Sequence, residues 1–285
     1  FNNKIWNATR YVLQLPEGLP GALVLPQPSQ LGLADKWILT RLHDVTVSVS
    51  KDLNRYDFGT VAETLWKFVW YEFCDWYLEA TKIKSETRAA ILSFVLNNTM
   101  RLLHPVEPFI TEEVWLHVPH DGASIMTASW PDTAEIPVDR EAAARFEALQ
   151  QTVERIRNLR AEMGLAPRAP LTVEIPNALP DETAGLLALY VSGTPERTDI
   201  PASSFEDALA SVSARAPREL MLERYRKDHA KLLVEIERIE QKLADEKFVG
   251  KAPVHVVNKE REKLEAFRSD LSRTQAEIGK LGEPV

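Results

Sequence analysis

Cysteine is almost missing: Cys74 is the single one in 285 residues. A lone thiol excludes an intrachain disulfide and any zinc site built from cysteines, and it fits a reducing compartment. Long apolar runs are missing too. No stretch has the length needed to cross a bilayer, and we expect no signal peptide. Nor is there an excess of positive charge, since 34 Lys and Arg stand against 42 Asp and Glu, a net charge of −8. That balance excludes a polycation gripping nucleic acid over its whole surface, but it leaves room for a local basic stripe on an acidic body. No Gly-rich phosphate loop, no Ser/His/Asp set and no closely spaced carboxylate pair stands in a plausible context. His104 and His255 are single imidazoles without partners at metal-ligand spacing, so both read as structural or solvated. The expectation is a chain with no catalytic residue, no metal and no cofactor of its own.

What is present is concentrated in the last quarter. Leu232, Ile236, Ile239 and Leu243 step by four, three and four residues, and Val257, Leu264, Phe267, Leu271, Ile278 and Leu281 keep a seven-residue register after a break. Apolar residues every 3.5 positions form a narrow seam that is buried against another helix. Between the two runs lies Phe248-Val249-Gly250-Lys251-Ala252-Pro253, whose glycine and proline predict that the helix stops and reverses there. The reading is an antiparallel coiled-coil hairpin reaching away from a body, with arms of about 25 residues spanning roughly 35–40 Å.

Upstream, the pattern predicts helices over 1–14, 33–53, from Asp57 to about residue 81, and from a Ser85 cap to 103. A Pro- and Gly-rich loop fills 16–30, and Thr111 with Glu112 and Glu113 is expected to open a short helix. Long helices joined this way read as an α-helical bundle over 1–130. Beyond it come a charged helix at 141–163, an alternating strand at 171–175, a helix at 182–191 and a second strand at 197–200. Residues 201–217 look like a linker. The fold class is therefore mainly α: a bundle (1–130), a small α/β unit (131–217) and the hairpin (218–285).

Two stretches invite a nucleic-acid interpretation. The aromatic density of 65–78, with Trp66, Trp70, Tyr71 and Trp76, suits base stacking, yet aromatics on a long helix more commonly fill a core, and the core reading prevails. Asp75 within it is expected to make a buried hydrogen bond or ion pair. Arg155, Arg157, Arg160 and Arg168 cluster on and after one helix; read alone, they form a solvated face partnered by Glu154 and Glu162, ahead of phosphate binding.

Together these stretches resemble one family. Lys4-Ile5-Trp6-Asn7, Asp35-Lys36-Trp37-Ile38, Phe73-Cys74-Asp75-Trp76-Tyr77 and Leu103-His104-Pro105-Val106-Glu107-Pro108-Phe109 are similar to the anticodon-binding domain of class I aminoacyl-tRNA synthetases of the Val/Ile/Leu group. Ile156-Arg157-Asn158-Leu159-Arg160 and the terminal hairpin, with Lys247-Phe248-Val249-Gly250-Lys251-Ala252-Pro253, resemble valyl-tRNA synthetases of bacterial type, and nearly the whole chain is covered. The arm discriminates, because isoleucyl enzymes commonly end in a zinc unit that one cysteine cannot build and leucyl enzymes lack this hairpin. Residues 195–222 depart from the family pattern. The family's catalytic motifs and editing domain are absent, so no catalytic role falls on any residue here.

The resemblance implies the C-terminal, tRNA-binding portion of a valine–tRNA ligase, cut from a longer polypeptide, as the start at Phe1 also suggests. The parent would use ATP and Mg to charge tRNA(Val), in the cytoplasm and as a monomer, through catalytic and editing domains outside this chain. For the anticodon face the expected residues are Lys4, Asn7, Arg10, Arg41, Lys51 and Arg55, with Arg160 and Arg168 nearby as phosphate contacts. On the arm they are Lys247, Lys251, Lys259, Arg261 and Arg268. The rival readings are a structural module whose hairpin pairs with a partner helix, and the equivalent region of an isoleucyl or leucyl enzyme.

Overall fold

A computed structural model describes residues 1–282 and confirms a mainly α chain with one small three-stranded sheet. It divides into two units, one of residues 1–169 with 173–214, the other of 170–172 with the chain from 215 onward.

The first unit begins with α1 (Asn2–Leu13), α2 (Leu33–Leu53) and α3 (Phe58–Lys67). The Asp57 carboxylate caps α3, accepting from the Thr60 amide at 3.1 Å. From Lys67 the helix continues without a break as a π-helical stretch (Phe68–Tyr77) and then α4 (Leu78–Ala80), so the predicted single rod to about residue 81 is present but changes its winding. Leu65, Phe68, Val69, Phe73 and Tyr77 are at most 2% exposed, whereas Trp66 and Tyr71 are 37% and 47% exposed. The core reading therefore holds for one face of this rod and not for the other.

Next comes α5 (Arg88–Leu103), buried along nearly its whole length, polar Ser93, Asn97, Asn98 and Thr99 included, as expected of a helix at the centre of a bundle. Its N-cap is Thr87 rather than Ser85, whose hydroxyl instead pairs with that of Thr87 at 3.2 Å. The following helix, α6 (Pro108–Trp115), opens three residues before the predicted Thr111, because Pro108 occupies the first turn, where a missing N–H costs nothing. Glu112 and Glu113 thus sit away from its positive end.

α7 (Arg140–Glu162) is capped by Asp139, which accepts from the Ala142 amide at 2.9 Å. Strand β1 (Leu171–Pro176), α8 (Asp181–Val191) and β2 (Gly193–Thr198) form a crossover unit. The Asn177 amide donates to the Thr198 carbonyl at 2.9 Å, which sets the two C-terminal strand ends side by side and makes the pair parallel. The expected linker is in fact ordered. It holds α9 (Phe205–Ala210), capped by Ser204, and β3 (Ser213–Arg215), which completes the sheet in the order β2-β1-β3. An aromatic cluster joins these parts: Trp37 of α2 stacks on Phe146 of α7 at 4.2 Å, while Trp76 packs on both Phe146 and Tyr190 of α8.

In the second unit α10 (Arg218–Ala244) and α12 (Val254–Lys280) pair lengthwise. Cross-helix contacts His229–Gln275, Glu240–Arg268 and Lys242–Glu260 converge toward the connection, which fixes the direction as antiparallel. Ile236, Ile239, Val257 and Ile278 of the predicted seam are buried, and Leu232, Leu243, Leu264, Phe267, Leu271 and Leu281 are half-buried. Each fully buried aliphatic side chain stabilises the pair by about 1.5–3 kcal/mol. The reversal differs from expectation. Gly250 lies inside a short helix, α11 (Glu246–Lys251), with an ordinary backbone, and the bends fall at Asp245 and at Ala252-Pro253, all in extended conformation. Asp245 ends α10 and also caps α11 by accepting from the Lys247 amide at 2.9 Å.

Candidate nucleic-acid interface

Hydrogen bonds across the bundle place the expected anticodon-face residues. Lys4 meets Asp75 at 2.6 Å and Tyr11 meets Thr81 at 3.1 Å, so α1 runs in the same direction as the π stretch. Arg41 meets Glu72 at 2.9 Å and Asp35 accepts from the Tyr77 hydroxyl at 2.8 Å, so α2 runs against it. Arg10 consequently lies level with residue 80, and Lys51 and Arg55 lie level with the start of α3, some 25 Å away along the bundle. The six residues are thus divided between two ends.

Two of the six are held by the fold. The Lys4 ammonium pairs with Asp75 and sits 4.0 Å over the Trp70 ring. Asp75 does make the expected ion pair, though its side chain is 47% exposed rather than buried. Arg41 makes a bidentate pair with Glu72, which holds its guanidinium pKa above the ordinary value. Asn7, Arg10, Lys51 and Arg55 are exposed.

At the α2–α3 turn the structure shows residues that sequence reasoning missed. Tyr56 and Phe58 follow Arg55 directly, are 80% and 60% exposed, and pack edge-to-face at 6.3 Å. Tyr56 adopts the left-handed region (φ 59°), an uncommon conformation for a bulky L-residue. Neither Lys51 nor Arg55 has a carboxylate partner among the described residues. The signal available in sequence was the Asn54-Arg55-Tyr56-Asp57 turn, which sets an aromatic residue where polar ones are usual.

Arg155, Arg157 and Arg160, read from sequence as a solvated face partnered by Glu154 and Glu162, bond instead to backbone carbonyls. Arg155 donates to the carbonyls of Leu209, Ala210 and Val212 at the end of α9, at 2.9, 3.0 and 3.1 Å. Arg157 donates to the Tyr190 carbonyl at 3.0 Å, and Arg160 to those of Val191 and Pro167. Helix C-termini leave carbonyls unpaired and carry partial negative charge, so guanidinium groups satisfy both needs at once. Ser192, in the left-handed region (φ 50°), ends α8 and leaves those carbonyls free. Arg160 is 3% exposed, and burial together with the neighbouring Arg157 charge lowers its pKa from the ordinary value. Arg168 is exposed and makes no side-chain hydrogen bond or ion pair among the described residues.

Along the hairpin, most charges pair. Lys242 and Lys263 flank Glu260 at 3.2 and 3.4 Å, Arg268 reaches Glu240 at 2.6 Å, and Lys280 reaches Glu277 at 2.6 Å. Lys247, Lys251, Lys259 and Arg261, at and just after the reversal, are exposed and have no carboxylate partner among the described residues. Val254 stands beside them, 75% exposed. Of the five arm residues expected to face a ligand, Arg268 alone is engaged across the hairpin. Elsewhere His104 accepts from or donates to the Thr111 hydroxyl at 2.8 Å and His255 is exposed; no metal-binding group of His, Cys, Asp or Glu occurs among the described residues.

Comparison with known proteins matches residues 35–175 to the anticodon-binding domain of tRNA ligase and residues 219–282 to the valyl tRNA synthetase tRNA binding arm. The valine–tRNA ligase of Carboxydothermus hydrogenoformans is 37% identical over 100% of this chain and 35% of its own length. That of Bacillus subtilis is 36% identical over 99% of this chain and 34% of its own length, and that of Geobacillus stearothermophilus gives the same three figures. The chain thus spans about a third of the length of the curated relatives it matches. It belongs to the valyl-tRNA synthetase family, within the C-terminal region that carries the anticodon-binding domain and the tRNA-binding arm.

Proposed function

We propose that this chain binds tRNA(Val), the bundle through unpaired bases of the anticodon loop and the hairpin through the phosphate backbone, and so holds the acceptor end for a catalytic domain of the same polypeptide. That domain would charge the tRNA with valine using ATP and Mg, in the cytoplasm, with the chain acting as a monomer. The observation that carries the reading is the α2–α3 turn, where the solvent-facing Tyr56 and Phe58 rings follow Lys51 and Arg55, which have no carboxylate partner among the described residues. Sequence-specific proteins read RNA mainly at single-stranded loops, stacking splayed bases on aromatic rings and neutralising adjacent phosphates with cations. Asn7 and Arg10 serve the same RNA from the other end of the bundle. At the hairpin reversal, Lys247, Lys251, Lys259 and Arg261 supply backbone contacts, and Arg268 contributes from within its pair with Glu240.

Filter binding of transcribed tRNA(Val), and of the same transcript with a changed anticodon, tests this. Tyr56→Ala and Phe58→Ala should each weaken binding by about 1–3 kcal/mol and erase the preference between the two transcripts. Reversing the four hairpin charges should lower the slope of log K against log salt by about one unit per lost contact, on both transcripts alike. No binding to either transcript, with a clear dimer in sedimentation, would establish the scaffold reading instead. Preference for an isoleucine or leucine tRNA would reassign the specificity.

A further inference from the structure

A cleft of about 550 Å³ in the first unit lies where α7, the loop after it and the end of α8 meet the π stretch. Arg157, Arg160 and Arg168 line it together with Asp75 and Glu79. The acids are already neutralised, Asp75 by Lys4 at 2.6 Å and Glu79 by Lys82 at 2.7 Å. The arginines are not: none has a carboxylate partner among the described residues, and Arg157 and Arg160 bond only to carbonyls. Arg160 is nearly fully buried, and its Nε–H has no acceptor among the described residues. A buried charge is ordinarily paired, and an unpaired one is costly. The charge distribution of the cleft therefore lacks one component, an anion.

We propose that this cleft seats a phosphodiester of the bound RNA backbone, with Arg168 and Arg157 making the ionic contacts and Arg160 completing the positive wall behind them. The proposal rests on the tRNA-binding reading above and adds a site to it. Three chemical features favour phosphate over a protein carboxylate. All three cations are arginine, whose planar fork matches phosphate oxygens in pairs. Arg157 is braced by the Tyr190 carbonyl and by the Trp76 ring, 5.5 Å from its guanidinium carbon, so its orientation is set before any ligand arrives. Arg168 has no competing partner among the described residues, which leaves its donors available to the ligand.

The test is a salt titration of tRNA(Val) binding by the 285-residue chain and its variants. Arg168→Gln should weaken binding roughly 5-fold at 0.15 M salt and reduce the slope of log K against log salt by about one unit, equally for both anticodons. Arg157→Gln should do the same, and Arg168→Lys should keep the wild-type slope. If Arg157→Gln melts early, Arg168→Gln decides alone, because the Arg168 side chain is exposed and makes no hydrogen bond or ion pair among the described residues. Wild-type binding with unchanged slopes in the variants would overturn the cleft proposal and leave the tRNA reading standing. Failure of the wild-type chain to bind tRNA would remove both. In parallel, inorganic phosphate is titrated while the arginine Nε–H NMR signals are followed. If those of Arg157 and Arg168 shift while the tRNA slopes do not change, the site takes small anions only, and the backbone assignment fails. If an acidic peptide shifts them and phosphate does not, the cleft serves a protein carboxylate.

Discussion

Arg155 offers a quantitative test of how the small α/β part is held. Its guanidinium donates three hydrogen bonds, at 2.9–3.1 Å, to carbonyls at and just beyond the end of α9. That helix has six residues, far too few to persist without tertiary support. Truncation as Arg155→Ala leaves three carbonyls without their donor, and water can replace it only in part. A hydrogen bond to a charged group contributes about 1.5–3 kcal/mol where solvent is excluded and less where it is not, so the partly exposed set amounts to about 2–3 kcal/mol together. For a unit of this size each kcal/mol lowers Tm by about 2–4 °C, which predicts a fall of about 5–10 °C. Hydrogen exchange should show the loss locally, as faster exchange of the 205–212 amides with the centre of α5 unaffected. Arg155→Lys should recover only part, because an ammonium cannot span three acceptors with a planar fork. A Tm within one degree of wild type, with 205–212 still protected, would refute the clamp.

Two further outcomes follow from titratable groups. Burial raises the Cys74 thiol to about 12, so at pH 8 it should react with iodoacetamide at a small fraction of the rate of the urea-unfolded chain; equal rates would contradict its burial. The Arg140 pair holds the Asp44 carboxyl below its ordinary value, so its contribution to stability is present above the unfolded pKa of about 3.9 and is lost as pH falls through the folded value. Asp44→Asn should therefore destabilise at pH 7 and make little difference near pH 2, as read from urea midpoints at both. Desolvation gives Asp35 the opposite sign: its folded pKa is raised, so its contribution weakens as pH rises from about 3.9 through the folded value.

The legible parts of the fold were those with a local cause. The helix of 33–53 could be read to the residue because an apolar stripe and a first-turn carboxylate, Asp35 on the Gly32 amide, define it locally. The hairpin seam was legible for the same reason, being a period in the sequence itself. What escaped was set by partners distant in sequence. α9 is too short to show a period, and it is held by Arg155, some 55 residues away. The one local clue was Ser204 followed at the third helical position by Asp207, whose amide the serine hydroxyl accepts at 3.1 Å. The carbonyl contacts of the α7 arginines could not be foreseen, since backbone acceptors carry no side-chain signature. Gly250 misled because glycine so often ends helices, whereas here the bends at Asp245 and Ala252 need no left-handed residue. The candidate site was legible in kind, as basic positions on helices, but its division between two ends of the bundle follows from helix directions that no single segment reveals.

Because α10 and α12 run in opposite directions and close on themselves through α11, the pair behaves as a ruler of adjustable length. Seven residues added to both helices at facing positions would carry the lysine-bearing tip about 10 Å farther while every seam residue kept its neighbour. The same insertion in one helix alone would put the two registers out of step. Reach in this element is thus a quantity that evolution or design can change in quanta, independently of the chemistry at its end.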